Sequence, residues 1–310
     1  MILALAGGVG GAKLAHGLAM QCAPADLTIA VNTGDDFEHL GLPICPDLDT
    51  VMYTLAGLAN PETGWGQKDE SWNFMAALKR LGGPDWFNLG DRDLATHVAR
   101  RARLAEGAKL SQITAELCGR LGIAHRIVPM SDDKVATRVD SDAGRLDFQD
   151  YFVRHRCTPK VEGFQFDGAA QAQPHPLLLQ GLREAQAIVL CPSNPFVSIG
   201  PILALPGVES ALRKRRGVAI AVSPIVAGQA IKGPAAKMFA ELELDCSALG
   251  VARWYGDKLD ALAIDTVDAA LAPQIEALGH RVLVCDTIMR SDDGRAALAR
   301  RVLDFAATLR

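Results

Sequence analysis

Short apolar runs alternate with stretches of helical periodicity along most of the chain. Met1-Ile-Leu-Ala-Leu-Ala6 is an uninterrupted apolar run that predicts a buried strand, and Gly7-Gly8-Val9-Gly10-Gly11 follows it directly. From Ala12 onward Leu14, Leu18 and Met20 fall near one face, which predicts a helix. Leu27–Val31 predicts a second buried strand, ending in Asn32-Thr33-Gly34-Asp35-Asp36. Strand, helix and strand joined by short connections imply a right-handed crossover and a parallel sheet. The same rhythm returns late in the chain. Strands are predicted at Ala187–Cys191, Val218–Val222, Leu259–Ile264 and His280–Val284, with helices near Ala235–Leu242 and Ala296–Leu309.

Between these two regions the pattern changes. Trp72, Met75, Leu78 and Leu81 form one amphipathic stripe; Leu94, Val98 and Leu104 form a second; Leu110, Ile113, Leu117 and Leu121 form a third. Three helices without a strand predict a helical insertion over 60–122, within a nucleotide-binding core made of 1–59 and 123–310. Ile123–Val128 returns to strand character. Val135–Val139, Leu146–Tyr151 and Val161–Phe166 alternate apolar and polar residues, which predicts short antiparallel hairpins. The predicted class is therefore α/β, with a mostly parallel sheet and a small all-helical insertion.

Composition narrows the functional classes. Hydrophobic residues make up 49% of the 310 positions and charged residues 22%, a globular balance that excludes wholesale disorder. A net charge of −4 gives no broad attraction to nucleic acid, and the basic run Arg213–Arg216 reads as a solvated helix end. Seven cysteines, odd in number and free of any CxxC pair, point to a reducing cytoplasm and no zinc site. No apolar run reaches the ~18 residues of a membrane helix. A cytoplasmic protein without membrane or nucleic-acid partners is expected.

The candidate chemistry lies at strand ends. Glycines let a backbone approach an anion closely, and the N–H groups of a first helical turn point at it, so Gly8, Gly10 and Gly11 with Lys13 form a candidate phosphate cradle. A tight turn without ligand is the competing reading. Named fingerprints fail: a dinucleotide motif needs glycine in place of Lys13, and a P-loop needs Ser or Thr in place of Leu14. Asp47 and Asp49 suit a helix N-terminus, and equally a Mg²⁺ site of hard oxygen ligands. In Asn88–Asp93, Asp93 reads as a cap and Arg92 as a fork for an anionic or carbonyl group. Ser193 and Asn194 end one strand, and Ser223 and Pro224 end another, on the rim where parallel sheets bind ligands. No GxSxG elbow or HExxH spacing is present. Phosphoryl or nucleotidyl-diphosphate transfer, which depends on positioning, a divalent metal and cationic donors, fits this inventory.

Taken in order, Gly7–Leu14, Pro46–Val51, Leu89–Asp93 with Ala95–His97, Pro129–Asp133, Pro192–Pro195 with Ser198–Pro201, and Ser223–Ile225 resemble the 2-phospho-L-lactate transferase family of coenzyme F420 biosynthesis. The resemblance spans essentially the whole chain. It implies a Rossmann-like core, a homodimer, and a Mg²⁺-dependent transferase. Such enzymes move a phospho-organic acid from a guanosine diphosphate-linked donor to the ribityl hydroxyl of the deazaflavin Fo, releasing GMP. It also implies that Asp49 serves metal and Fo, with Asp47 in support, and that Arg92 serves Fo. The glycine turn departs from the archaeal pattern, in which a threonine and a proline are expected. That leaves phospholactyl, phosphoenolpyruvyl and phosphoglyceryl donors open. The alternative is a non-enzymatic, nucleotide-sugar-binding regulator resembling the related gluconeogenesis-factor family.

Overall fold

The computed structural model describes residues 1–310. The chain begins with β1 (Ile2–Ala6), α1 (Gly8–Gln21) and β2 (Leu27–Val31), then a hairpin of β3 (Phe37–His39) and β4 (Leu42–Ile44), and α2 (Pro46–Leu55). Three helices follow, α3 (Asn73–Arg80), α4 (Asp91–Ala105) and α5 (Leu110–Arg120), before β5 (Arg126–Pro129). A separate antiparallel sheet is made of β6 (Ala136–Ser141), β7 (Gly144–Asp147) and β8 (Val161–Asp167). Next come α6 (Pro176–Glu184), β9 (Ala187–Leu190), α7 (Gly200–Leu203), α8 (Val208–Arg213) and β10 (Val218–Val222). The chain closes through β11 (Ile225–Val226), β12 (Gln229–Ala230), α9 (Ala235–Glu241), α10 (Ala248–Tyr255), β13 (Ala261–Asp265), α11 (Ala272–Glu276), β14 (Arg281–Cys285) and α12 (Asp292–Thr308).

The central sheet has seven strands in the order β14-β13-β10-β9-β1-β2-β5, all parallel. β1, β9 and β10 are apolar at every position, and β2 at all but Thr28, because helices cover both faces. Leu3, Leu5, Ile188 and Leu190 point to one side and pack with Leu178 and Leu182 of α6 and Leu212 of α8. Ala4, Ala6, Ile29 and Val189 point to the other and meet Leu14 and Leu18 of α1 and Val302 of α12. This is a Rossmann-like α/β arrangement. No helix is long and apolar enough to cross a membrane.

Several elements differ from expectation. α1 starts at Gly8 rather than Ala12, so most of the glycine run is wound into the helix. The hairpin of β3 and β4 turns on Leu40 and Gly41, both at positive φ (54° and 73°), the twist that a two-residue hairpin needs. Leu146–Tyr151 is not a strand throughout: β7 stops at Asp147 and Asp150–Arg154 winds into a wide helical turn. There Phe148 and Phe152, four residues apart, stack at 5.6 Å, a helical spacing hidden within the alternation. α12 begins at Asp292 because the Ser291 hydroxyl accepts the Gly294 N–H. In α3, Met75 is buried while Trp72 and Leu81, which flank the helix, are exposed; in α5, Ile113 is buried and the helix packs on β5. The expected apolar stripe of α4 is not its buried face. Val98 is 51% exposed, whereas His97 and Arg100 are each 1% exposed.

Candidate functional site

β1 is the point where the chain reverses its direction across the sheet. From β1 it moves to β2 and β5, and it later returns to β9 on the other side of β1 before moving out to β14. The loops leaving the carboxyl ends of β1 and β9 consequently part to opposite faces and open a crevice between them. A cavity of about 790 Å³ occupies that crevice. Its lining comes from Gly7–Gly10 after β1, Asp35 after β2, Pro192–Asn194 after β9, Ser223 and Pro224 after β10, and Thr287–Arg290 after β14.

The first turn of α1 is built by close packing. The Gly7 N–H donates to Ser193 Oγ at 3.0 Å, and that hydroxyl donates back to the Gly7 carbonyl at 2.8 Å. A Cβ on Gly10 would stand 2.4 Å from the Pro192 carbonyl oxygen, and one on Gly11 2.4 Å from Ser193 Oγ. Glycine at these two positions lets α1 lie against the loop that follows β9. Gly8 has φ +63° and donates its N–H to Asp47 Oδ1 at 2.7 Å, so one amide of the turn is already satisfied by a carboxylate. Val9 and Gly10, in the same turn, line the cavity.

Opposite that turn lies an acidic wall. Asp47 and Asp49 stand in the first turn of α2, where the helix N-terminus favours negative charge, and both are buried. Asp47 Oδ2 accepts from Asn32 Nδ2 at 2.9 Å. Burial pushes the Asp47 carboxyl up to about 6, against the pull of its bonds to Asn32 and Gly8. Asp35 and Asp36 are likewise raised well above the carboxylate range, first by burial and then by neighbouring carboxylates.

α4 brings a polar face to this wall. Asp93, His97 and Arg100 recur at i, i+4 and i+7, so they share one side of the helix. Arg100 donates to Asp49 Oδ1 and, at 3.1 Å, to the Pro43 carbonyl. Burial opposes its charge most strongly, but Asp49, Cys45 and Tyr53 together hold the guanidinium above its usual value. His97 Nδ1 lies 3.2 Å from Arg100 Nη1 and 3.7 Å from Asp49 Oδ2, while Nε2 lies 3.3 Å from Asp93 Oδ2. The Tyr53 hydroxyl donates to Asp93 Oδ1 at 2.7 Å. Burial raises Asp93, yet His97, Tyr53 and Arg100 together leave it below the usual range. Asp49, Asp93 and His97 each offer one ligand atom within 4.8 Å of the others.

The remaining walls are aromatic and cationic. Trp65, Trp86, Phe87, Phe148 and Phe152 give the cavity flat apolar surfaces. Lys13 and Lys232 add ammonium groups that touch only carbonyl oxygens, of Met289 for Lys13 and of Glu62 and Thr63 for Lys232. Burial lowers the Lys13 amine, helped by Arg295 and Lys232.

Of the residues proposed from sequence, Gly8, Gly10, Lys13, Asp47, Asp49, Ser193, Asn194, Ser223 and Pro224 line this one cavity. Gly11 and Arg92 are not in its lining. Gly11, in the first turn of α1, is buried against Ser193 and Ala6. Arg92 is half exposed, donates to the Lys68 carbonyl at 3.1 Å and lies 4.0 Å from Asp69. The Ser193 and Ser223 hydroxyls bond to backbone, of Gly7 and Ile225 respectively. Sequence reasoning gave Asp93 only a capping role and gave none to His97 and Arg100. α4 starts at Asp91 with Gly90 as its cap, which frees Asp93 to meet Tyr53 and His97. Their polar i, i+4, i+7 spacing was the available signal.

The sequence model of the family described as "2-phospho-L-lactate transferase CofD" matches residues 2–303. A phosphoenolpyruvate transferase of Streptomyces griseus is 43% identical, over 100% of this chain and 99% of its own. Another, from Mycolicibacterium smegmatis, is 38% identical over 98% of each chain. Among solved structures, protein BH3568 from Bacillus halodurans superimposes with a TM-score of 0.63, covering 97% of this chain and 98% of its own; at 15% identity this likeness concerns the fold alone. With a family match over nearly its whole length and full-length relatives at this identity, the chain belongs to the 2-phospho-L-lactate transferase CofD family and is a transferase.

Proposed function

We propose that the protein transfers a phosphoenolpyruvyl group from its guanosine diphosphate-linked donor to the ribityl hydroxyl of the deazaflavin Fo, releasing GMP, in coenzyme F420 biosynthesis. The observation that carries this reading is the single crevice. It joins a glycine-built helix start and two carboxylate-free lysines to a buried acidic wall and a set of aromatic surfaces. An anionic diphosphate, a divalent cation and a flat ring system each find matching chemistry there. The names of the full-length relatives favour enolpyruvyl over lactyl or glyceryl as the organic group.

The terminal hydroxyl oxygen of Fo attacks the phosphorus that bears the organic acid. The bond from that phosphorus to the bridging oxygen breaks, GMP takes the electron pair, the hydroxyl proton is lost, and a phosphodiester forms. Lys13, Lys232 and the first-turn amides of α1 hold the diphosphate and its developing charge. The aromatic wall orients Fo and excludes water from it.

The acidic wall fits Mg²⁺. Asp49 Oδ2, Asp35 Oδ1 and Asp36 Oδ1 are buried without hydrogen-bond partners, a costly state that a hard cation relieves. Asp49, with Asp93 beside it and Asp47 one half-turn away, would hold the ion, and His97 borders the same spot. When bound, the ion supplies neutralisation of the diphosphate charge.

Incubation with Fo, Mg²⁺ and each of the three guanylylated donors, with GMP measured, tests the reading. GMP release dependent on Fo is expected, fastest with the phosphoenolpyruvyl donor. No Fo-dependent release with any donor would sink it.

A further inference from the structure

Arg100 is the only arginine among the buried residues, and it lies against an unusual concentration of carboxylates. Asp35, Asp36, Asp47, Asp49 and Asp93 all face this region, and the cations that enter it from α4 are Arg100 and, when protonated, His97. The guanidinium makes a divided set of contacts. One side grips Asp49 Oδ1, and Nη1 reaches the Pro43 carbonyl at 3.1 Å and His97 Nδ1 at 3.2 Å. Asp49 Oδ2 is left buried and without a hydrogen-bond partner, in a residue that lines the cavity. A carboxylate with one oxygen anchored and the other free has lost its rotation and kept a single open ligand position. The contact also ties α2 to α4, so it sets how the helical segment sits over the acidic wall.

We propose that Arg100 is a positioning residue for the transfer. By holding Asp49 Oδ1, it fixes Oδ2 toward the cavity as a cation ligand and locks α4 onto α2. Arg100 touches neither substrate nor the reacting phosphorus; it acts through Asp49. The inference rests on the metal role given to Asp49 above. Lysine cannot replace it fully, because an ammonium is a point charge and cannot fork between Asp49 and the Pro43 carbonyl.

The test uses the full chain with Arg100→Met and Arg100→Lys, each checked for folding by circular dichroism and thermal denaturation. Binding of Mn²⁺ alone, without substrates, is followed by electron paramagnetic resonance, and kcat and KM are then measured with Fo and the donor. Arg100→Met is expected to weaken Mn²⁺ binding and lower kcat by about 10- to 100-fold each, the range seen when partners of metal ligands are removed. The KM for the donor should change little, and Arg100→Lys should recover part of both losses. A folded Arg100→Met protein with wild-type Mn²⁺ affinity and wild-type kcat overturns the proposal. Failure of both variants to fold also overturns it, since Arg100 then serves the scaffold. Wild-type protein that binds no Mn²⁺ overturns the metal role and this inference together. Wild-type protein that binds Mn²⁺ but releases no GMP removes the transfer reading, while the comparison of Mn²⁺ affinities still decides the role of Arg100.

Discussion

Asp49 shows how one side chain can have two unlike ends. Arg100 anchors one oxygen, and the other is buried and free. Asp49→Asn keeps the shape and an acceptor for Arg100 but removes the charge. It should abolish Fo-dependent GMP release. It should also lower unfolding stability by about 3–5 kcal/mol, because a buried guanidinium loses its counter-charge. Urea denaturation alongside the GMP assay checks both, and near-normal turnover removes Asp49 from the reaction. Asp47 makes a different prediction. Its folded-state value of about 6 lies above the ordinary carboxyl value of 3.8, so the folded protein binds this proton more tightly than the unfolded chain. The stability contributed by Asp47 is therefore present below the ordinary value and lost as pH rises through about 6. A cation bound beside the ionised group offsets that loss. The Tm gain on adding Mg²⁺ should thus be larger near about pH 7.5 than near about pH 5, since ligands must be deprotonated to bind. Equal gains at both pH values would remove Asp47 from the metal's surroundings.

At the scale of elements, α1 carries a lesson about glycine. The run Gly7–Gly11 pointed to a strand followed by a turn at the sheet rim, and α1 is there. What the run did not reveal is why the glycines are needed. Gly10 and Gly11 are required by Pro192 and Ser193 in the loop after β9, each 182 positions further along the chain and invisible to local pattern. Gly10→Ala must displace the Pro192 backbone, and a loss of about 1–3 kcal/mol is expected from overpacking. Gly119→Ala in α5 is the control, because nothing lies within 4 Å of the added methyl. It should stabilise by about 0.4–1 kcal/mol. Thermal denaturation of the pair separates close packing from plain helix propensity; two stabilised variants would show that α1 tolerates a side chain there. α4 teaches the converse. Hydrophobic periodicity located the helix but chose Leu94, Val98 and Leu104 as its inner face. The inner face is instead Asp93, His97 and Arg100, because what it packs against is the acidic wall of α2. Periodicity reports burial only when the partner surface is apolar.

Across the whole molecule, the parallel sheet was readable because its inner strands are short, almost wholly apolar and separated by helical stretches. Those features follow from covering a sheet on both faces and are written in local sequence. The rim of the candidate site was readable in part for the same reason: residues just past a parallel strand end up on one edge. Gly8, Ser193 and Ser223 could be placed together on that argument, and they line one cavity. Strand order was not readable, and with it the reversal at β1 that opens the crevice, because pairing between β1 and β9 joins segments about 185 positions apart. The outward position of Arg92 and the inward one of Arg100 were also beyond local pattern, although both lie on α4. Their sides depend on where α2 stands relative to α4. Local sequence thus set the strands, the helices and the ends that bear chemistry, since these obey short-range sterics and burial. Long-range packing set which carboxylates meet which cations, since charge pairing depends on distances that only the assembled sheet and helices define.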